Sequence, residues 1–452
     1  MRARNLAALA AFLLGLGCQS APEGTVAFVN VSVLPMDNER VLEAQTVVTS
    51  LGQISELGPA SEIKVPRGSA IVDGSGKYLI PGLTEMHAHL PGADTPPEEV
   101  DRILFLFLSN GVTTVRGMLG NASHLELRQQ VEDGVRLGPT IYAAGPAFRA
   151  SEDLTVEAAR QRVREQHQAG FDLLKILEGL STDVYDAIAE EATQAGIPFG
   201  GHVPNEVGLL HALAAGQSSI DHLDNFLEAM EADASPIKNA DASTRGRDMA
   251  LHADERKIPA LVAATKLADA SVVPTMALWE TFNADVSAEH YAGFDELQYL
   301  PPETVDAWIE SQKSRRERLN AEAAARVIEI RKKVLKALQD EGARIVFGTD
   351  APQIFNVPGF SIHREISIMA SAGLTPYQIL ASATRNAAEH FGNDAFGSVA
   401  VGTRADLVLL EANPLDDAAN VAKRAGVMVR GRWLPEAEIQ AKLEDLAATA
   451  SP

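Results

Sequence analysis

The chain has 452 residues, 46% of them hydrophobic and only 5% aromatic, with a formal net charge of -22. That apolar content supports a sizeable core and argues against wholesale disorder. The acidic surface and the shortage of stacking aromatics argue against a nucleic-acid partner, while carboxylates and imidazoles still attract metal cations.

The chain opens with "MRARNLAALAAFLLGLGC". Two arginines, an apolar run from Leu6 to Leu16 and then small residues make a secretory signal, too short for a spanning helix with proper flanks. We assign 1–21 as a signal or lipoprotein segment. Cys18, the only cysteine, stands where a lipoprotein signal peptidase would cut and lipidate. "LGLGC" resembles a bacterial lipobox, except that Gly15 takes the usual leucine position and Leu14 lies one step early. The expected product is exported, as a periplasmic or outer-membrane lipoprotein, with plain secretion as the alternative. A lipid at Cys18 would be its only tie to a membrane. A lone cysteine excludes an intrachain disulfide.

From 22 to 80 short β-like runs alternate with turn residues: "TVAFVNVSVL", "AQTVVTS" and "SAIVDGSGKYLI". The pattern returns in 395–440 with "GSVAVGTRADLVLLEANP" and "AGVMVRGRW". One small β-sandwich domain built from both chain ends accounts for the two segments. The intervening 81–394 reads differently. Eight β-like runs, "GLTEMHAH", "GVTTVR", "PTIYAAGP", "FDLLKIL", "IPFGGHV", "SSIDHL", "SVVPTMAL" and "RIVFGTD", are separated by helical stretches. Alternating strands and helices imply βαβ units and a parallel sheet, and eight of them predict an α/β fold of the (β/α)8 TIM-barrel type. The long polar runs 224–270 and 279–341 exceed a minimal barrel. They are expected to be lids, pocket walls or oligomer contacts.

Chemistry gathers at the ends of these strands. The first gives His87 and His89, two apart and hence on one face. The fourth gives Lys175, the fifth His202, the sixth His222 and the eighth Asp350. A single strand-end histidine is more often structural. Six such residues at the end where barrels carry their active sites are hard to explain by chance.

This set resembles the amidohydrolase superfamily in its binuclear subtype, and its imidazolonepropionase-like and prolidase-like members most. The resemblance rests on "PGLTEMHAHL", "GVTTVR", "GHVP", "DHLDN", "GTDAP", "HREISIMASAGLTPYQILASATRNAAE" and "GTRADLVLLEANPL". It implies two divalent ions, in keeping with zinc, one held by His87, His89 and Asp350 and the other by His202 and His222. It further implies a carboxylated Lys175 as the anionic bridge, since a neutral buried lysine can add carbon dioxide. The implied mechanism is attack by a metal-bridging hydroxide, with Asp350 taking its proton and passing it to the leaving nitrogen.

Other candidates are less tied to motif. Glu85 stands where the family more often has Asp, and reads as structural or supporting. Arg116, Tyr142, Thr275 and His363 are taken as substrate contacts, Arg116 with a rim salt bridge as its alternative. Trp279 is a further pocket-wall candidate. The expected activity is cleavage of a C–N amide bond in a small-molecule substrate, a dipeptide (Xaa-Pro-like) or an N-acyl amino acid. The alternatives are hydrolysis of a cyclic amide, imide or lactone, and a single-metal deaminase. A homo-oligomer is compatible with the sequence.

Overall fold

A computed structural model describes residues 22–238 and 246–450. The N-terminal run 1–21, read from the sequence as a signal or lipoprotein segment, lies outside the described residues together with Cys18. No helix among the described residues is long and apolar enough to cross a membrane.

The N-terminal segment forms β1 (Val26–Val33), β2 (Leu42–Ser50), β3 (Gln53–Pro59), β4 (Ala70–Asp73) and β5 (Tyr78–Pro81). Next come the short strands β6 (Leu83–Ala88), β7 (Val112–Gly117), β8 (Thr140–Ala143), β9 (Leu174–Ile176), β10 (Phe199–Gly201), β11 (Ser219–Asp221) and β12 (Ser271–Val273). The C-terminal segment adds β13 (Leu407–Leu410), β14 (Arg424–Val429) and β15 (Arg432–Pro435).

Strands from the two chain ends share one sheet, in the order β15-β14-β13-β5-β1-β2-β3, with β4 also paired to β1. The pairing runs through all eight strands as one continuous sheet, with a core of its own. In β1 the inward residues are Val26, Phe28, Val31 and Val33, so the alternation skips a step. Asn30, at φ 54°, sits in the interval where the register against β2 shifts. The extra residue of a bulge restores the apolar face, and asparagine tolerates that backbone well. Phe28 meets Trp433 edge-to-face at 5.1 Å, which packs the first strand onto the last.

The chain leaves this sheet at Pro81 and enters β6 at Leu83, with Gly82 between them. A Cβ on Gly82 would lie 2.0 Å from Thr113 Oγ1. Gly82→Ala is therefore expected to destabilise the protein by about 1–3 kcal/mol through overpacking. Thermal unfolding of the variant checks this, and an unchanged midpoint would refute it.

The middle of the chain is α/β. Strands β6-β7-β8 form one parallel sheet and β9-β10-β11-β12 another. Parallel bridges join Ala144 to Leu173 and Phe148 to Ile176, between β8 and β9. All residues of β6 and β7 are buried, as expected of strands covered on both faces. The eighth expected strand, in "RIVFGTD", makes bridges rather than a regular ladder. Ile345 pairs with Val272 and Ala351 with Ala88, so this run lies between β12 and β6. Asp350, at the end of this run, takes a left-handed backbone, φ 64°.

Helices such as Pro97–Ser109 cover the strands, placing Val100, Ile103, Leu104 and Phe107 in the core. The long runs after β11 and β12 are largely helical, as expected, and include Ile258–Leu267, Met276–Asn283, Pro302–Glu317 and Ala321–Asp340.

Candidate metal centre

The strand ends bring four imidazoles into a row. Ring centroids of His89 and His87 are 5.7 Å apart, those of His87 and His222 4.5 Å, and those of His222 and His202 4.5 Å. Asp350 faces the row: its Oδ1 lies 3.0 Å from His89 Nε2 and 3.6 Å from His87 Nε2, and its Oδ2 3.8 Å from His222 Nδ1. The ligand atoms of His87, His89 and Asp350 all fall within 4.8 Å of one another. Lys175 is buried, with Nζ 3.3 Å from His87 Nε2. All six strand-end candidates thus converge, which alternation along single strands could suggest but not demonstrate.

Three of the four imidazoles are oriented by a partner on one nitrogen. His87 Nδ1 lies 2.6 Å from Asp221 Oδ2, His202 Nδ1 2.7 Å from Asp224 Oδ2, and His222 Nδ1 2.8 Å from Thr275 Oγ1. This is how metal-binding histidines are commonly held, with the other nitrogen left for the ion. His222 Nε2 is buried and has no hydrogen-bond partner. Leaving a buried polar atom unsatisfied is costly, so this nitrogen fits a divalent ion that would bind it. The His/Asp donor set suits zinc and similar metals.

The charge states agree. Burial, reinforced by the Lys175 charge, lowers His87 to about 4. Burial likewise holds His222 well below the usual histidine range. Both are therefore neutral ligands near pH 7. Burial would raise Asp350, but His87, His89 and His222 outweigh it and hold the carboxylate far below its usual range. Burial also lowers Lys175, against the pull of Asp221 and Asp350.

The backbone around the site is unusual. His222, Leu223, Asn225, Thr275 and Asp350 all have φ between 44° and 64°. Non-glycine residues rarely adopt this region, and such strain concentrates at functional sites.

The structure corrects two substrate assignments, Arg116 and Thr275, and shows what Tyr142 and His363 touch. Arg116 is 0% exposed and spends its guanidinium on Asp221, Met86 and Ser219, so it cannot reach a substrate; the salt bridge read as its alternative is buried, not on the rim. Tyr142 stacks on Phe391 at 3.7 Å and accepts from Asn393 Nδ2. Thr275 is fully buried and orients His222. His363 Nε2 lies 3.0 Å from Asn110 Oδ1, behind the Pro97–Ser109 helix. Glu85 is a support: Oε1 accepts from the His87 and Thr349 N–H groups, and Oε2 pairs with Thr349 Oγ1. It ties the backbone at His87 to that beside Asp350, and burial pushes it up to about 8.

Asp221 and Asp224 were missed by sequence reasoning. Their signal was present in "IDHLDN", where the two aspartates flank the His222 that drew attention.

A cavity of about 1140 Å³ opens beside His202. Phe226, Leu227 and Met249 wall it from the run after β11, and Val327, Ile330 and Val334 from the helix Ala321–Asp340. Both long insertions thus serve as pocket walls, and Trp279 lines the cavity as expected.

Thr275→Val keeps the side-chain shape but removes the partner of His222 Nδ1. It is expected to weaken divalent-ion binding about 10–100-fold. Competition with a chromogenic chelator measures this, and undiminished affinity would remove Thr275 from the support of His222.

The profile of the Amidohydrolase family matches residues 78–434. An imidazolonepropionase of Pseudomonas putida is 23% identical over 408 residues, 81% of this chain and 87% of that protein. An adenine deaminase of Shouchella clausii is 25% identical over 206 residues, 42% of this chain but only 35% of the deaminase. Among solved structures, a protein of Bifidobacterium longum described as a prolidase superposes with a TM-score of 0.67 at 26% identity, covering 94% of this chain and 99% of that one.

Proposed function

The chain belongs to the amidohydrolase family, and on that premise we propose that it hydrolyses the amide bond of a dipeptide, Xaa-Pro-like, or of an N-acyl amino acid. The observation that carries this reading is the row of four imidazoles facing Asp350, with His222 Nε2 left unpartnered inside it. Likeness to the Bifidobacterium protein supports the linear-amide choice. His87, His89 and Asp350 would hold one divalent ion, His202 and His222 a second, and zinc is the metal we propose. When bound, the ions supply Lewis acidity and a water acidic enough to ionise near neutrality.

The chain's own groups do the rest. Lys175 is enclosed, and burial disfavours its ammonium; its neutral amine would add carbon dioxide at Nζ and release a proton, and the carbamate would offer a carboxylate where an ammonium would repel cations. Asp350 accepts a proton from the attacking water and returns it to the leaving nitrogen, because an amine leaves poorly unless protonated. The cavity beside His202 takes the apolar part of the substrate against Phe226, Met249 and Trp279.

The fold reading belongs with this proposal: 81–394 as a (β/α)8 barrel, and 22–80 with 395–440 as the small β domain. Backbone bonding of 345–351 to β12 on one side and β6 on the other supports a ring of parallel strands. Export with lipidation at Cys18 is likewise proposed, on the sequence pattern alone.

A screen of the zinc-loaded protein against dipeptides, N-acyl amino acids and cyclic amides tests the substrate class, with liberated amine as readout. Silence on every linear amide would overturn it. A second reading, a cyclic-amide hydrolase or single-metal deaminase, draws on the imidazolonepropionase likeness and on the tight grouping of His87, His89 and Asp350. One metal ion per chain, unchanged by bicarbonate, would favour it.

A further inference from the structure

Arg116 is the largest wholly buried side chain among the described residues. A buried guanidinium is costly unless every donor finds a partner. Here the partners come from several elements. Nε donates to the Met86 carbonyl at 2.6 Å on β6, the residue just before His87. Nη1 donates to Ser219 Oγ at 3.0 Å on β11 and lies 3.4 Å from His390 Nε2. Nη2 reaches both oxygens of Asp221, at 3.2 and 3.0 Å. Asp221 Oδ2 is the same atom that meets His87 Nδ1 at 2.6 Å.

One side chain on β7 therefore grips β6 and β11 together. These strands lead to His87 and His222, which the reading above gives to different ions. The grip acts twice on His87: at the backbone through Met86, and at the ring through Asp221. With Asp221 fixed as acceptor for Nδ1–H, the Nε2 lone pair is the one left facing Asp350.

We infer that Arg116 is a positioning residue of the metal centre, which locks the two halves of the site in register and orients His87 through Asp221. The inference rests on the metal-centre reading. A planar fork is needed for this, because an ammonium cannot bind a carboxylate bidentately while donating to a carbonyl on another strand. Arg116→Lys is thus not conservative, although it keeps the buried charge.

The test uses the full chain as wild type, Arg116→Lys, and the double variant Arg116→Met/Asp221→Asn, which removes both buried charges. Zinc affinity is measured by chelator competition, and stability by thermal unfolding. Arg116→Lys is expected to bind zinc about 10–100-fold more weakly. The double variant should unfold near the wild-type temperature yet keep the weakened zinc binding. A purely structural role predicts the opposite, zinc affinity returning with stability. Wild-type zinc affinity in Arg116→Lys, or in a stable double variant, would overturn the inference. A wild-type protein that takes up no zinc would instead bring down the metal-centre reading itself, which the control alone reveals.

Discussion

Asp350→Asn is expected to lower amide turnover about 10³-fold while leaving the fold and much of the metal binding in place. The amide matches the carboxylate in shape, and asparagine tolerates the φ of 64° at this position as well as aspartate does. An oxygen can still face His89 Nε2, now 3.0 Å from Asp350 Oδ1. What vanishes is a group able to take a proton and give it back. Turnover number should therefore fall much more than substrate affinity. Turnover measured beside metal content per chain separates the two effects. Full activity in a metal-replete Asp350→Asn protein would end the proposed role.

The second large effect is expected at Lys175. Lys175→Ala should bind close to one ion per chain instead of two and lose nearly all activity, with partial recovery in added acetate. Lys175 is 1% exposed, and its burial disfavours the ammonium. The surroundings are shaped for this side chain. A Cβ on Gly201, at φ 113°, would meet Lys175 Cδ at 2.7 Å, so a bare backbone lies alongside it. A structural lysine would be replaced at the expense of stability alone and would not respond to acetate. Two ions and a full rate in Lys175→Ala would refute the carbamate.

Most of the centre was legible because its residues sit at strand ends, where a one-dimensional pattern marks position and face. His87 and His89 announce themselves by spacing. His202, His222 and Asp350 follow from the same rule applied to three later strands. The supporting layer was not legible, because its contacts cross between strands. Asp221 meets a histidine on β6, and nothing in "SSIDHL" specifies that neighbour. Arg116 misled for a related reason. A cation at a strand end looks like a rim residue until the strands on either side enclose it. The surroundings of Tyr142 and His363 were not legible either, because their partners Phe391 and Asn110 lie about 250 residues away along the chain. In the small sheet, the bulge around Asn30 broke the alternation on which strand phase depends.

The sheet shared by both chain ends has a consequence for the order of synthesis. Strand β5 pairs with β1 on one side and with β13 on the other, Leu407 opposite Pro81 and Leu410 opposite Tyr78. The ribosome delivers one partner early and the other near the end. Until Leu407–Leu410 arrives, one side of β5 lacks its ladder, and open edges of this kind invite pairing with foreign strands. Contacts so distant along the chain also close slowly. A nascent or truncated chain that carries every proposed metal ligand up to Asp350 but stops before β13 would hold a complete set of donors on an unsealed scaffold. Quality control of this protein would therefore be decided by its last strands.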